Sequence, residues 1–299
     1  RRLRRIQVHF LLRRLLRSAA TVLLPTAGRA ELFAYSLLPR RLRQRGRVVL
    51  YVHQMRMDGS RFARLQWIAR RAPEARILTT TDALAEEIRG AGFSHVQSQP
   101  CPFSLPPHPP EEPPFRHAIF PGMARMDKSL PLIVELIELM KQQSSAIPLL
   151  LQAAPNHHGE YAADVAALLQ RIRHIGYPHL RMPAQTISGD AYLEQFVGAI
   201  CLQPYLVDKY ANKISGITLD ALARGSPVVV RKGIWSAALV ERFGAGIVVD
   251  SGQVTEWLGA IEQLIGSYRY YQLRCKEAYG WLKKHHSADS LLTTIRRMP

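Results

Sequence analysis

The chain has 299 residues, 47% hydrophobic and 21% charged, a composition that buries the cores of two domains and argues against a disordered or fibrous protein. Of its net charge of +17, residues 1–47 hold thirteen arginines against the single acid Glu31, so the basicity belongs to the N-terminus. Cys101, Cys201 and Cys275 lie far apart with no C-x-x-C spacing, and no run of about 18 uncharged apolar residues occurs; zinc sites, redox pairs and membrane spans are disfavoured, and a cytoplasmic chain is expected.

Residues 3–24 (LRRIQVHFLLRRLLRSAATVLL) predict one basic amphipathic helix, with Ile6, Phe10, Leu11 and Leu15 on one side and arginine crowding the other. Such a helix suits either an anionic membrane surface, on the inner face of the membrane, or packing on its own domain. A chain that opens on Arg1 instead of Met also reads as a processed or truncated fragment whose first strands lie outside it. Residues 47–53 (RVVLYVH) read as a buried parallel strand ending at His53, followed by a helix at 62–72, a strand at 76–80, a helix at 82–90 capped by the Thr79-Thr80-Thr81-Asp82 cluster, and a strand at 95–98. Eight of the fifteen residues at 100–114 are proline, which fixes φ and removes donors, so this stretch reads as a linker. Alternation then resumes, with strands at 118–121, 148–153, 180–182, 199–203, 227–230 and 246–249. Helices are expected at 130–142, 160–174, 190–197, 217–223 and 237–243, and 255–285 is largely helical. Strand-helix-strand rhythm means parallel sheets covered by helices. The expected layout is a basic segment at 1–46, a short Rossmann-like domain at 47–105, a linker at 106–116 and a Rossmann-like domain at 117–299.

The most informative segment is 213–230 (KISGITLDALARGSPVVV). Ser215 and Gly216 open a helix whose free N–H groups and positive dipole end can hold a phosphate, with Ile217 in its first turn. Asp220, one turn later, can accept hydrogen bonds from both hydroxyls of a ribose. In 120–129 (FPGMARMDKS) a strand runs into a turn with Gly122, Arg125 and Lys128, two cations at the C-terminal edge of a parallel strand, where open α/β sheets bind ligands. A diphosphate held there would have the charge of its departing form neutralised.

These two segments resemble the donor domain of GT-B glycosyltransferases, in particular the retaining group called family 4. The shared features are a strand followed by Gly122, Arg125 and Lys128, and a late helix reading Asp220-Ala221-Leu222-Ala223-Arg224-Gly225-Ser226-Pro227-Val228-Val229. Residues 77–102 and 201–205 (CLQPY) are similar in weaker form. The resemblance implies an α/β GT-B fold of two Rossmann-like domains facing a cleft, the N-terminal one short. It implies retaining, hexosyl-type transfer from a nucleotide diphosphate sugar to a glycan or lipid-linked acceptor, as in polysaccharide biosynthesis. Donor-binding residues would be Gly122, Ser215, Gly216, Ile217 and Asp220; catalytic ones His53, Arg125 and Lys128. Two departures stand out: the first of the family's paired acids falls on Asn212, and only an Arg-rich segment stands where a strand and Gly-rich loop would precede His53.

No Asp-x-Asp motif is present, so leaving-group stabilisation without a metal or other cofactor is expected, and the adjacent pairs His157-His158 and His285-His286 point apart instead of sharing an ion. A reading from another class is a GT-B-like protein that turns nothing over and binds anionic membrane or nucleic acid through the Arg-rich N-terminus; for the enzyme reading, nucleic acid is not expected as a partner.

Overall fold

The computed structural model describes residues 2–17, 21–45, 47–55, 57–155, 159–183, 185, 187 and 189–299. The chain divides into two compact units. One comprises Arg1–Phe103, Asn212–Ile214 and His285–Pro299; the other comprises Ser104–Ala211 and Ser215–Lys284.

The first unit contains α1 (Arg2–Leu15), β1 (Thr21–Leu24), α2 (Arg29–Ser36), α3 (Arg40–Arg45), β2 (Arg47–Val52), α4 (Gly59–Arg71), β3 (Arg76–Thr79), α5 (Asp82–Gly90) and β4 (His95–Ser98). Its four strands are all parallel, in the order β1-β2-β3-β4. Side chains alternate across β2. Val48, Leu50 and Val52 face a core with Leu12, Leu16, Leu32, Tyr35, Leu65 and Ile88, while Val49 and Tyr51 face Leu78, Ile295 and Met298. Polar side chains start the helices as the sequence suggests: Asp58 accepts from Arg61 N–H, and Thr81 from Leu84 N–H.

Three expectations are corrected here. The helix expected over 3–24 ends at Leu15, and Thr21–Leu24 is instead an edge strand in register with Arg47–Leu50, because TVLL can extend a parallel sheet whose next strand is RVVLYV. The segment 1–46 is accordingly not separate from the first domain, and β1, a turn at Pro25 and Thr26, and α2 with Gly28 as its N-cap precede His53 where only an Arg-rich segment is expected. Within α1 the arginines do not oppose the apolar side: Ile6, Phe10, Leu11 and Leu15 are exposed together with Arg13 and Arg14, and Leu12, with Leu16 just past the helix, is buried.

In the second unit the elements are β5 (His117–Phe120), a 3-10 turn (Met126–Lys128), α6 (Leu130–Gln142), β6 (Leu149–Leu151), α7 (Ala163–Ile175), β7 (Leu180–Arg181), α8 (Gly189–Glu194) and β8 (Ala199–Gln203). They continue with α9 (Val207–Tyr210), α10 (Gly216–Ala223), β9 (Val228–Arg231), α11 (Trp235–Phe243), β10 (Gly246–Val249), α12 (Val254–Gly266) and α13 (Tyr268–His285). The six strands are parallel in the order β10-β9-β8-β5-β6-β7. The proline-rich stretch forms neither helix nor strand, and α13 ties it down: Tyr279 donates to Pro106 O at 2.8 Å and Gln272 to Pro113 O at 3.0 Å.

The last helix, α14 (Ala288–Arg297), follows Ser287, whose hydroxyl accepts from Ser290 N–H. Expected with the second domain, it belongs to the first unit. Ile295 and Met298 cover Val49, Tyr51 and Leu78, Arg47 donates to the Ile295 and Met298 carbonyls, and Thr294 donates to Gln99 Oε1 at 2.5 Å.

Candidate active site

In the second sheet the strand order reverses between β5 and β8, so the loops that follow them diverge and leave a crevice beyond their C-terminal ends. Every donor-side residue expected from the sequence lies on those two loops or on α10.

Gly122 turns the chain just after β5 with φ of +80°, a left-handed conformation glycine adopts without strain, and its N–H donates to Gln152 Oε1 at 2.6 Å. A Cβ at this position would stand 2.9 Å from Lys128 Nζ and 3.5 Å from Ile217 Cδ1, so the three residues converge. Lys128 is 7% exposed; its ammonium donates to Pro121 O at 3.1 Å and lies 5.7 Å from the centre of the Tyr205 ring. A buried ammonium is tolerated only where polar or aromatic groups such as these surround it.

Arg125 points elsewhere. Half-exposed, it pairs with Asp127, whose Oδ2 also accepts from Tyr210 Oη at 3.4 Å. Arg125 and Asp127 line a cavity of about 350 Å³ with Met123, Met126, Tyr161 and Asp164. The two cations, three residues apart, thus differ in surroundings: Arg125 lines this cavity and pairs with Asp127, whereas Lys128 is buried against Pro121 and Tyr205.

Ser215 caps α10, its hydroxyl accepting from Thr218 N–H at 3.3 Å. Beneath, Thr218 Oγ1 donates to Gln203 Oε1 at 2.8 Å and lies 2.6 Å from Ser236 Oγ, a buried network that fixes the helix start against β8 and α11. Gly216 is exposed, and a Cβ there would meet nothing within 4 Å, so the helix start is open to solvent at this residue. Asp220 follows on the same helix, half-buried, its Oδ2 accepting from Tyr192 Oη at 3.4 Å. Burial pushes its carboxyl up to about 6, against the opposing pull of the Tyr192 hydrogen bond and the Arg224 charge. Burial and the nearby Asp220 charge push the Tyr192 phenol up as well.

Tyr192, Tyr205, Tyr210 and Gln152 are the site's unforeseen members. Tyr205 ends the segment CLQPY, which the family resemblance had picked out as a strand; nothing in the spacing of the others marks them.

His53 belongs to the first unit, at the C-terminal end of β2. Its Nε2 lies 2.7 Å from Pro25 O, an acceptor only, so Nε2 donates to it. The ring stands 4.7 Å from that of Tyr51, and Thr80 Oγ1 donates to the His53 carbonyl at 3.0 Å. Asn212, at the first acid's position, is also counted in the first unit, and its side-chain amide donates to Glu87 Oε1 at 2.6 Å. Among the described residues no three His, Cys, Asp or Glu side chains are grouped to hold a metal ion; His157 and His158 lie outside those residues.

No protein-family model matches the chain, and no curated protein sequence does. Solved structures match closely in shape. HepE from Anabaena, in complex with UDP, superposes with a TM-score of 0.72 at 13% identity, covering 97% of this chain and 80% of its own. A UDP-forming α,α-trehalose-phosphate synthase from Burkholderia xenovorans gives 0.68 at 10% identity over 97% and 77%. Sucrose-phosphate synthase from Thermosynechococcus elongatus gives 0.67 at 14% over 93% and 72%. With parallel strands in both sheets, the reversal at β5 and β8, and these glycosyltransferase neighbours, the chain has the GT-B fold.

Proposed function

We propose that this chain transfers a hexosyl group, with retention, from a nucleoside diphosphate sugar to a glycan or lipid-linked acceptor, without a metal ion. The observation that carries the reading is the convergence of Gly122, Lys128 and Ile217 in the crevice where the sheet reverses. Lys128 and the positive N-terminal end of α10 neutralise the departing diphosphate, Arg125 joins them on releasing Asp127, and Asp220 accepts from the ribose hydroxyls. His53, on the acceptor-side unit, is assigned to the acceptor hydroxyl through Nδ1. The neighbours' bound UDP and UDP-glucose favour a uridine nucleotide. An acceptor at the inner face of a membrane, as in polysaccharide biosynthesis, suits the basic α1.

The test is thermal unfolding with UDP, GDP, ADP, dTDP and CMP, on the wild type and on Asp220→Ala. UDP at a hundred times its dissociation constant adds about 2.7 kcal/mol to the wild type and nothing to the variant. Stabilisation by none of the five overturns the donor-site assignment and favours a protein that docks through its N-terminus and turns nothing over.

A further inference from the structure

The fold uses one side of α1. Leu12 and, just past the helix, Leu16 are fully buried, Val8 packs against the same core, and His9 Nδ1 lies 3.2 Å from Ala34 O on α2. On the other side Leu3, Ile6 and Phe10 are 74%, 54% and 62% exposed, with Leu11 and Leu15 exposed beside them. Ile6, Phe10 and Arg13 recur at helical spacing along one stripe, Arg14 flanks it, Arg17 follows in the turn just past the helix, and all three arginines are exposed. The helix contains no acidic residue, and residues 1–47 hold +12 of the chain's +17.

Each simpler use of this face explains half of it. A solvated outer face calls for the arginines but not for three large exposed apolar side chains in adjacent turns. Nucleic acid would take the arginines and gain nothing from Ile6 and Phe10. A bilayer with anionic headgroups takes both, burying the apolar side chains at the headgroup boundary while the guanidinium groups stay at the phosphates. We infer that the outward face of α1 and the turn after it dock on an anionic bilayer, with Leu3, Ile6 and Phe10 inserted and Arg13, Arg14 and Arg17 at the headgroups. This deepens the membrane side of the proposed function and rests on that reading only for its purpose.

The experiment is co-sedimentation of the 299-residue chain with phosphatidylcholine vesicles, with and without one third phosphatidylserine. Binding is expected to the anionic vesicles alone and to weaken with salt. At about five-fold per basic residue near an anionic surface, R13Q/R14Q/R17Q lowers it by roughly a hundred-fold. I6S/F10S abolishes what salt leaves. Stabilisation by UDP, measured on the same samples, is unchanged in both variants, so failure of the docking face and failure of the donor site are read separately. Equal binding to both vesicle types overturns the inference. So does an I6S/F10S variant that binds like the wild type, the outcome expected of a purely electrostatic nucleic-acid surface, or a self-association that both variants abolish, which would make the occupant a second copy.

Discussion

The two units carry charge in opposite ways. The first has twenty-three basic residues against seven acidic, a net +16; the second has seventeen against sixteen, a net +1. Yet the nearly neutral unit is the one to which the proposed function gives the diphosphate. A compact, highly charged ligand is held by a few donors converging in a desolvated crevice, where each interaction is strong, and bulk charge adds little. Diffuse positive charge acts on extended anionic partners such as a bilayer and is screened by salt. The charge of this chain and its proposed anion site are separate properties.

The largest expected effect breaks this comparison most directly. Lys128→Met keeps the volume of the buried side chain and removes its charge, and is expected to lower kcat/KM for the donor sugar by 10²–10³, about 3–4 kcal/mol. Removing Arg13, Arg14 and Arg17 together leaves the same constant unchanged. A triple variant that lost as much as Lys128→Met would mean that the long-range field of the first unit does the binding.

Leu12→Ala is next. It leaves a cavity between α1 and the fully buried core it shares with Leu32 and Tyr35, and is expected to cost about 3 kcal/mol of stability in urea unfolding, with UDP affinity unaltered. A cost below about 1 kcal/mol would mean that α1 is loosely held and docks on nothing as a fixed face. Gly122→Ala acts in the other unit: a φ of +80° costs a side-chain-bearing residue about 1–2 kcal/mol, and the added Cβ moves Lys128 Nζ, so UDP binding weakens with stability.

Legibility in the sequence followed the same divide. The second unit alternates strand and helix in short, strongly apolar runs, so 130–142, 199–203 and 246–249 were read as they fold, and Gly122, Lys128, Ile217 and Asp220 stood out because strand ends and helix starts are where phosphate chemistry sits. What stayed hidden depended on pairing across distance. Thr21–Leu24 looks like the end of a helix until Arg47–Leu50 is placed beside it, and Ala288–Arg297 has no visible target until Val49, Tyr51 and Leu78 form a face for it. Spacing on α1 did not tell its inner side from its outer one, because Leu12 and Leu16 are no more apolar than Leu11 and Leu15; packing on α2 made the choice. Arg125 and Lys128 look alike in the sequence because they are three residues apart, and only the 3-10 turn between them shows that one lines a cavity while the other is buried.

The smallest effect is the most diagnostic of the site. Burial holds the Asp220 carboxyl at about 6 against 3.8 when free, so the folded protein retains a proton that the unfolded chain gives up. Stability from this group is present below about 4, falls as pH rises, and is gone above about 6. Asp220→Asn removes the titration. It is expected to melt with the wild type at pH 4 and to be more stable at pH 7.5, by about 1 kcal/mol once solvent screening of the half-buried group is allowed for. Ribose hydroxyls donating to the ionised carboxylate reverse the balance, so UDP binds the wild type more tightly at pH 7.5 than at pH 5.5 and releases a proton on binding below pH 6. A variant that gains stability at high pH and no longer responds to UDP identifies Asp220 as a carboxylate whose burial the fold tolerates for its ligand. Equal unfolding of variant and wild type at both pH values, with UDP binding retained, would reduce Asp220 to an ordinary helix residue and leave Lys128 and the start of α10 to hold the nucleotide alone.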